Sequence, residues 1–304
     1  MKAITHKKIT WRYVPENSDK AVQKLEKDFS FHPLDIEDIS NGPQQPKTDF
    51  YKDYLFAIFH FPHYHNEEGR IHVFELDVFL SEDYVITVCK GESSRLADLF
   101  GRVSSDDEYR EEMMGEGAGF FLYKLLAALT EASWSAVRRI GSQMNDIEEE
   151  IYGEDTGKGT VWRIALTRRN LIRLRRILDP QLVVMGSLVA ADKPYLKAAL
   201  SVYFDDIRDT LNRLEAITAG NVEVMNTLHN VNESLISQRT NDVIKLLTFI
   251  SVSLLPMTLL TGFYGMNVSG LPFTDHPRAV WMLFGVLFLI IFPLLAIFRR
   301  KDWV

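Results

Sequence analysis

The chain has 304 residues, with 34 Lys and Arg against 41 Asp and Glu, a formal net charge of −7, and 46% hydrophobic residues. That is the composition of a folded chain, and it excludes a disordered, collagen-like or disulfide-stapled protein. The acidic balance argues against nucleic acid as a partner, and the single cysteine, Cys89, can form no internal disulfide.

The opening MKAITHKKITW has no apolar run able to act as a signal-peptide core, so residue 1 is expected in the cytoplasm. Residues 1–115 read as a mixed α/β domain. Segments 53–61, 71–80 and 83–89 are rich in aromatic and β-branched residues, as strands are, and Asn41-Gly42-Pro43 with Pro46 breaks the chain before them. His60, His63, His65 and His72 lie close to Glu67, Glu68 and Glu75. Neutral imidazoles suit Zn2+, but Pro62 and the polar run 66–69 favour a hairpin tip with exposed histidines.

From Gly117 the period becomes helical: Phe121, Leu125, Ala128, Ala132, Val137, Ile140 and Met144 recur at three- to five-residue steps. Gly153, Gly157 and Gly159 form a turn. A second helix then carries Arg163, Arg168, Arg169, Arg173, Arg175 and Arg176 opposite Asp146, Glu148, Glu149 and Glu150. This predicts a helical hairpin at 116–194 whose charged faces are solvated or internally paired. Next, Leu196, Leu200, Tyr203, Ile207, Leu211 and Leu214 advance by 4, 3, 4, 4 and 3, predicting one helix from 196 through 263. At the standard rise it is a rod of about 100 Å. Its cytoplasmic part, the stalk at 195–243, has a single apolar stripe that it cannot bury alone, so association of copies along it is expected.

No charge occurs between Leu246 and Thr274, or between Ala279 and Phe298. Each stretch can supply a helix of about 20 residues, the span of a bilayer core, whereas a buried hairpin of a soluble domain rarely needs such length. The expected membrane hairpin is 244–304, with helices at about 244–263 and 279–298 and an external loop at 264–278. Arg239 and Lys245 precede the first helix, and Arg299, Arg300 and Lys301 form a basic collar after the second. The loop holds only Arg278 beside Asp275 and His276. The positive-inside bias therefore places both flanks, and both termini, in the cytoplasm of a multi-pass protein of the plasma (inner) membrane.

No catalytic constellation stands out: the chain has no Gly-rich phosphate loop, nucleophile elbow or paired-cysteine zinc motif. Neither enzymatic activity nor a nucleotide partner is expected. On the first membrane helix Thr248, Ser251, Leu255, Thr258 and Gly262 step by 3, 4, 3 and 4 and share one face, with Asn241 and Ile244 leading into it. Packing through small residues is one reading of this stripe. The other is a pore lining, gathered around an axis by several copies, and it accounts better for a stripe that begins in the charged rod and ends at Tyr264-Gly265-Met266-Asn267.

That tetrapeptide, after a Pro-containing helix and 30 to 40 residues from the C-terminus, resembles the signature of CorA-type magnesium transporters. Residues 240–248, Pro256-Met257-Thr258, the basic Trp-bearing tail at 298–303, and 32–39 followed by Pro46-Lys47 are similar to further patterns of that family. The resemblance implies a funnel-shaped homopentameric channel with an α/β cytoplasmic domain, a long stalk helix and two C-terminal transmembrane helices. It implies that Tyr264, Gly265, Met266 and Asn267 form the external selectivity filter, that Asn241, Ile244, Leu247 and Leu255 form constrictions, and that Thr258 is a polar way-station. It further implies a regulatory Mg2+ bound between subunits by Asp206, beside Asp205 and Asp209, with a partner acid near Glu67 or Glu68.

The family's external loop usually carries acids after a Met-Pro pair. Here Phe273 stands where an acid is expected, a weaker collar for attracting cations. The expected function is conduction of Mg2+, with Co2+ and Ni2+ as further candidate cargo, into the cytoplasm under negative feedback by cytoplasmic Mg2+. No organic cofactor is expected. Two alternatives are a Zn2+ transporter of the same superfamily and a membrane-anchored cytoplasmic sensor or scaffold.

Overall fold

The structure is a computed structural model that describes residues 1–90, 94–153, 158–267, 271 and 277–300. It divides into two compact units, Met1–His229 and Asn230–Val304.

In the N-terminal unit, β1 (Lys2–His6), β2 (Ile9–Val14), β3 (Lys47–Phe50), β4 (Leu55–His65), β5 (Arg70–Leu80) and β6 (Tyr84–Lys90) form one sheet in the order β1-β2-β6-β5-β4-β3. Only the β2 and β6 pair is parallel. The three strands read from the sequence are present, but β4 continues past the expected end at 61. Pro62 is tolerated because β3 pairs only with 55–58, leaving that part of the β4 edge free of a ladder partner. His63 then faces His72 and His65 faces Arg70 across the β4–β5 hairpin. Gly69 closes its turn at φ 64, a conformation that favours glycine, and its N–H donates to the His65 carbonyl at 3.0 Å. His63, His65 and His72 thus sit at a hairpin tip, whereas His60 lies further back on β4, 3.2 Å from Glu75.

Alternation along the strands supplies both faces of the sheet with apolar side chains. On one face Val14, Phe56, Ile58, Phe79, Ile86 and Val88 meet Val22 and Leu25 of α1 (Asp19–Asp28) and Ile39 of α2 (Pro33–Ser40). On the other, fully buried Trp11 donates from Nε1 to Thr87 Oγ1 at 3.0 Å. Its ring packs edge-on at 5.0 Å from Phe100 of α3 (Ser94–Ser105) and 4.9 Å from Phe121 of α5 (Ala118–Tyr152). Between α3 and α5 lies α4 (Asp107–Met114), whose N-cap Asp106 accepts from the Tyr109 N–H at 3.0 Å.

The helix α6 (Lys158–Val189) is tied to the β4–β5 hairpin by buried polar side chains. Asn170 accepts from the Ile71 N–H at 3.1 Å and donates to the Gly69 carbonyl at 2.8 Å, Arg173 donates to the Ile71 carbonyl at 2.8 Å, and Gln181 donates to the His60 carbonyl.

The expected continuous helix from 196 begins later. Pro194 disfavours helical geometry before it, Lys193 and Leu196 form an isolated β-bridge, and a short 3-10 turn, Ala198–Leu200, precedes α7 (Ser201–Tyr264). The last element is α8 (Ala279–Arg300), within the C-terminal unit.

Candidate ion path and metal sites

In the C-terminal unit, α7 from residue 230 onward carries a stretch of mean hydropathy 2.0, none of which is buried within the chain. Leu246, Leu247, Leu254, Leu255 and Leu259 are each more than half exposed. So much unpartnered apolar surface requires lipid or further copies around it. The helix α8 is 22 residues long, with its apolar described stretch at Trp281–Pro293. Phe298 near its end packs edge-on to Phe249 of α7 at 5.7 Å.

At about 100° per residue, Asn241, Ile244, Leu247, Thr248, Ser251, Leu255, Thr258 and Gly262 fall within an arc of roughly 120° on α7. Two shallow hollows lie on this face: one of about 580 Å³ at Asn241, Ile244 and their neighbours, the other of about 430 Å³ lined by Ser251, Leu254, Leu255, Thr258 and Leu259. Thr248 Oγ1 donates to the Ile244 carbonyl at 2.7 Å and Thr258 Oγ1 to the Leu254 carbonyl at 3.1 Å. Both hydroxyl hydrogens are thereby satisfied inside the helix, which lets the side chains sit in an apolar setting. Pro256 lies within α7 and has no N–H for the Val252 carbonyl.

The helix ends in a tight turn in which the Gly265 N–H donates to the Thr261 carbonyl at 2.9 Å. A Cβ on Gly265 would meet that carbonyl oxygen at 2.8 Å, so the close approach of the chain requires glycine here. Tyr264 is half-buried, with its ring edge-on to Phe263 at 5.4 Å, while Met266 and Asn267 are exposed. The expected loop residues Phe273, Asp275 and His276 lie outside the described residues, as does Lys301 of the basic collar; Arg299 and Arg300 close α8.

The acids expected to hold a regulatory ion lie in the N-terminal unit. Asp206 is exposed on the second turn of α7, next to Asp205, which is paired with Arg208. Glu67 and Glu68 sit in the β4–β5 turn. Glu68 accepts from His72 Nε2 at 2.9 Å, and that hydrogen bond holds its carboxyl below the usual range. Among the described residues no three His, Cys, Asp or Glu side chains converge as metal ligands.

The motif at 32–39 has a structural role. His32 caps α2, accepting from the Leu34 N–H at 3.2 Å, and Pro33 occupies its first turn. Asp35 is fully buried and accepts from Tyr51 at 2.9 Å and Tyr54 at 2.7 Å; burial raises its pKa despite both hydrogen bonds. Lys47 bridges Asp38 and Asp49 at 2.7 Å each.

Sequence reasoning missed a buried charge cluster beneath α2. Lys90 Nζ lies 2.8 Å from Glu75, 3.3 Å from Asp77 and 2.7 Å from the Asp38 carbonyl. Glu75 and Asp77 alternate with apolar residues along β5, a pattern that reads as a solvated face and gives no signal of burial.

Comparison with known proteins gives consistent matches over nearly the whole chain. The family described as CorA-like Mg2+ transporter protein matches residues 6–300. The cobalt/magnesium transport protein CorA of Thermotoga maritima is 27% identical over 284 residues, 93% of this chain and 80% of that protein. The complete structure of the CorA magnesium transporter from Methanocaldococcus jannaschii superposes with a TM-score of 0.82 at 21% identity, covering 100% of this chain and 95% of that one. The full-length CmaX structure superposes at 0.77 and 22% identity, covering 97% of this chain and 89% of its own.

Proposed function

Because the chain belongs to the CorA-like Mg2+ transporter family, a family of divalent-cation membrane transporters and not of enzymes, we propose that it conducts Mg2+ into the cytoplasm, with Co2+ and Ni2+ as lesser cargo. The observation that carries this reading is the face of α7 from Asn241 to Gly262, which ends at the glycine-dependent turn holding Asn267. In this reading α7 and α8 are both membrane helices, the termini are cytoplasmic, and five copies gather the α7 face around one axis. Gly265, Met266 and Asn267 form the outer mouth.

The physics of the cargo fits such a lining. Mg2+ releases its water reluctantly, so a ring of neutral Asn267 amides can hold the hydrated ion through its waters and still let it go. A ring of carboxylates would bind more tightly and slow release. Asn241, Ile244, Leu247 and Leu255 narrow the path below, where apolar rings close it by dewetting. Moving two charges inward gains about 4.6 kcal/mol per 100 mV, enough to drive uptake without an organic cofactor or nucleotide hydrolysis. Cytoplasmic Mg2+ held by Asp206 of one copy and Glu67 or Glu68 of the next supplies the feedback.

The test is ion influx into proteoliposomes loaded with a Mg2+-sensitive dye under an inside-negative potential. Wild type should admit Mg2+, and Asn267→Ala should lose most of that flux at equal reconstitution. Entry of Zn2+ alone would transfer the assignment to a zinc transporter. Absence of any ion flux from a well-folded oligomer would point to a membrane-anchored sensor.

A further inference from the structure

The arginines of α6 divide into two groups. Arg163 is paired with Glu150, and Arg175 with Asp179 at 3.4 Å and Glu215 at 3.8 Å. Arg168, Arg169 and Arg176 are exposed and make no hydrogen bond or ion pair among the described residues, and Arg173 is only partly engaged, through the Ile71 carbonyl at 2.8 Å. All four of these line a single cleft of about 670 Å³ in the N-terminal unit, and no acid is among the described residues that line it. On the helix they occupy an arc of roughly 140°. Two imidazoles, His60 and His229, stand on its other walls, and apolar side chains, among them Val73, Val161 and Ile172, complete the lining.

Four guanidinium groups around one hollow repel each other, and among the described residues no acid is paired with Arg168, Arg169, Arg173 or Arg176. Guanidinium forks match phosphate oxygens in two-pronged hydrogen bonds, and clefts of this size are typical of small-molecule sites. We propose that this cleft binds an oligophosphate anion, with Arg168, Arg169, Arg173 and Arg176 holding its charge. The apolar wall at Val73 and Ile172 favours an oligophosphate that carries an organic group, as a nucleoside triphosphate does, over the bare inorganic chain. This departs from the expectation of no nucleotide partner, which rested on the lack of a Gly-rich phosphate loop. The site uses side-chain guanidiniums instead, and it binds without any group placed to hydrolyse.

The test is equilibrium dialysis of the full-length chain in lipid nanodiscs against ATP, inorganic tripolyphosphate and adenosine, in Mg2+-free buffer so that no phosphate attaches through a bound cation. ATP should bind saturably at one site per chain, and adenosine should not bind. Tripolyphosphate should bind at least tenfold more weakly than ATP; equal affinities would keep the oligophosphate site and assign it to the inorganic anion. Arg169→Ala combined with Arg176→Ala, both on the exposed surface, should weaken binding at least tenfold. Arg175→Ala, whose guanidinium is already paired, should leave it within twofold. No saturable binding of either phosphate, or equal losses in all arginine variants, would overturn the proposal. Because the readout is binding and not flux, its outcome is independent of whether the chain conducts Mg2+.

Discussion

Lys90 is one cation serving two buried carboxylates, and the structure decides which keeps its charge. Glu75 accepts from Lys90 at 2.8 Å, from the Gln44 N–H at 2.9 Å and from His60 at 3.2 Å. Burial works against its charge, but the His60 and Lys90 hydrogen bonds outweigh it and hold its pKa below the usual range. Asp77 is fully buried, and neither of its oxygens has a well-aligned hydrogen bond. Burial pushes it up to about 8, the Lys90 charge offsets only part of that, and the neighbouring Glu75 adds to it. At neutral pH the folded chain therefore holds a proton on Asp77 that the unfolded chain has released.

This group's contribution to stability is complete below about pH 4, the ordinary aspartate range, and is lost as the pH rises to about 8. At about 1.4 kcal/mol per unit, the loss between pH 5 and pH 8 is about 4 kcal/mol. Asp77→Asn removes the ionisation and leaves the shape of the side chain. Denaturant unfolding of the detergent-solubilised full chain, followed by far-UV circular dichroism at pH 5, 6, 7, 8 and 9, should show the variant gaining on wild type by roughly 1 kcal/mol per unit up to pH 8 and levelling above it. A difference that stays constant with pH would mean that Asp77 is ionised in the folded state and paired with Lys90, and would refute the division of charge argued above.

Removing the cation should be worse than neutralising the acid: Lys90→Met takes the ammonium from the buried Glu75 carboxylate and should cost about 3–5 kcal/mol in the same unfolding measurement at pH 7. Asn170→Ala breaks two buried hydrogen bonds between α6 and the β4–β5 hairpin, and should cost about 1–3 kcal/mol with no change in the pH profile. Gly265→Ala forces the turn away from the Thr261 carbonyl and should cut proteoliposome Mg2+ influx at least tenfold at wild-type oligomer yield; unchanged flux would show that the turn does not set the geometry of the mouth. Asp206→Ala should keep influx running at internal Mg2+ concentrations that shut wild type, and unchanged inhibition would remove Asp206 from the regulatory site.

Legibility in the sequence followed the range of the forces involved. The strands β4, β5 and β6 are central and buried, so their aromatic and β-branched runs are visible in the chain. In contrast, β1 and β3 lie at the sheet edges, and the Lys47–Phe50 strand carries a polar pattern that only its pairing with β4 makes a strand. The long helices announced themselves by period, yet the start of α7 was misplaced because Leu196 fits the period while a bridge to Lys193, next to Pro194, holds it outside the helix. The buried charges of β5 were hidden because alternation reports which residues share a face but not whether a helix covers it. The six arginines of α6 read as one charged run; only the fold separates those with acids in reach from those around the cleft.

The α7 face was readable for a complementary reason, since its spacing is local, and the structure adds a property that spacing cannot give. Both threonines on it, Thr248 and Thr258, have their hydroxyl hydrogens committed to carbonyls four residues back, so what each can offer outward is an oxygen lone pair. A hydrated divalent cation presents the hydrogens of its water shell, so it is a donor at its surface and needs acceptors along its path. If this face lines a pore as proposed, its oxygen acceptors and apolar side chains, with the Asn267 amide at its end, suit a cation that keeps its waters and are a poor match for an anion or a stripped ion. Thr258→Val tests this directly. It preserves shape and removes one acceptor from each copy, so it should slow Mg2+ influx several-fold while leaving oligomer yield unchanged; if flux is unaffected, the hydroxyl serves the helix alone and the acceptor argument fails at that position.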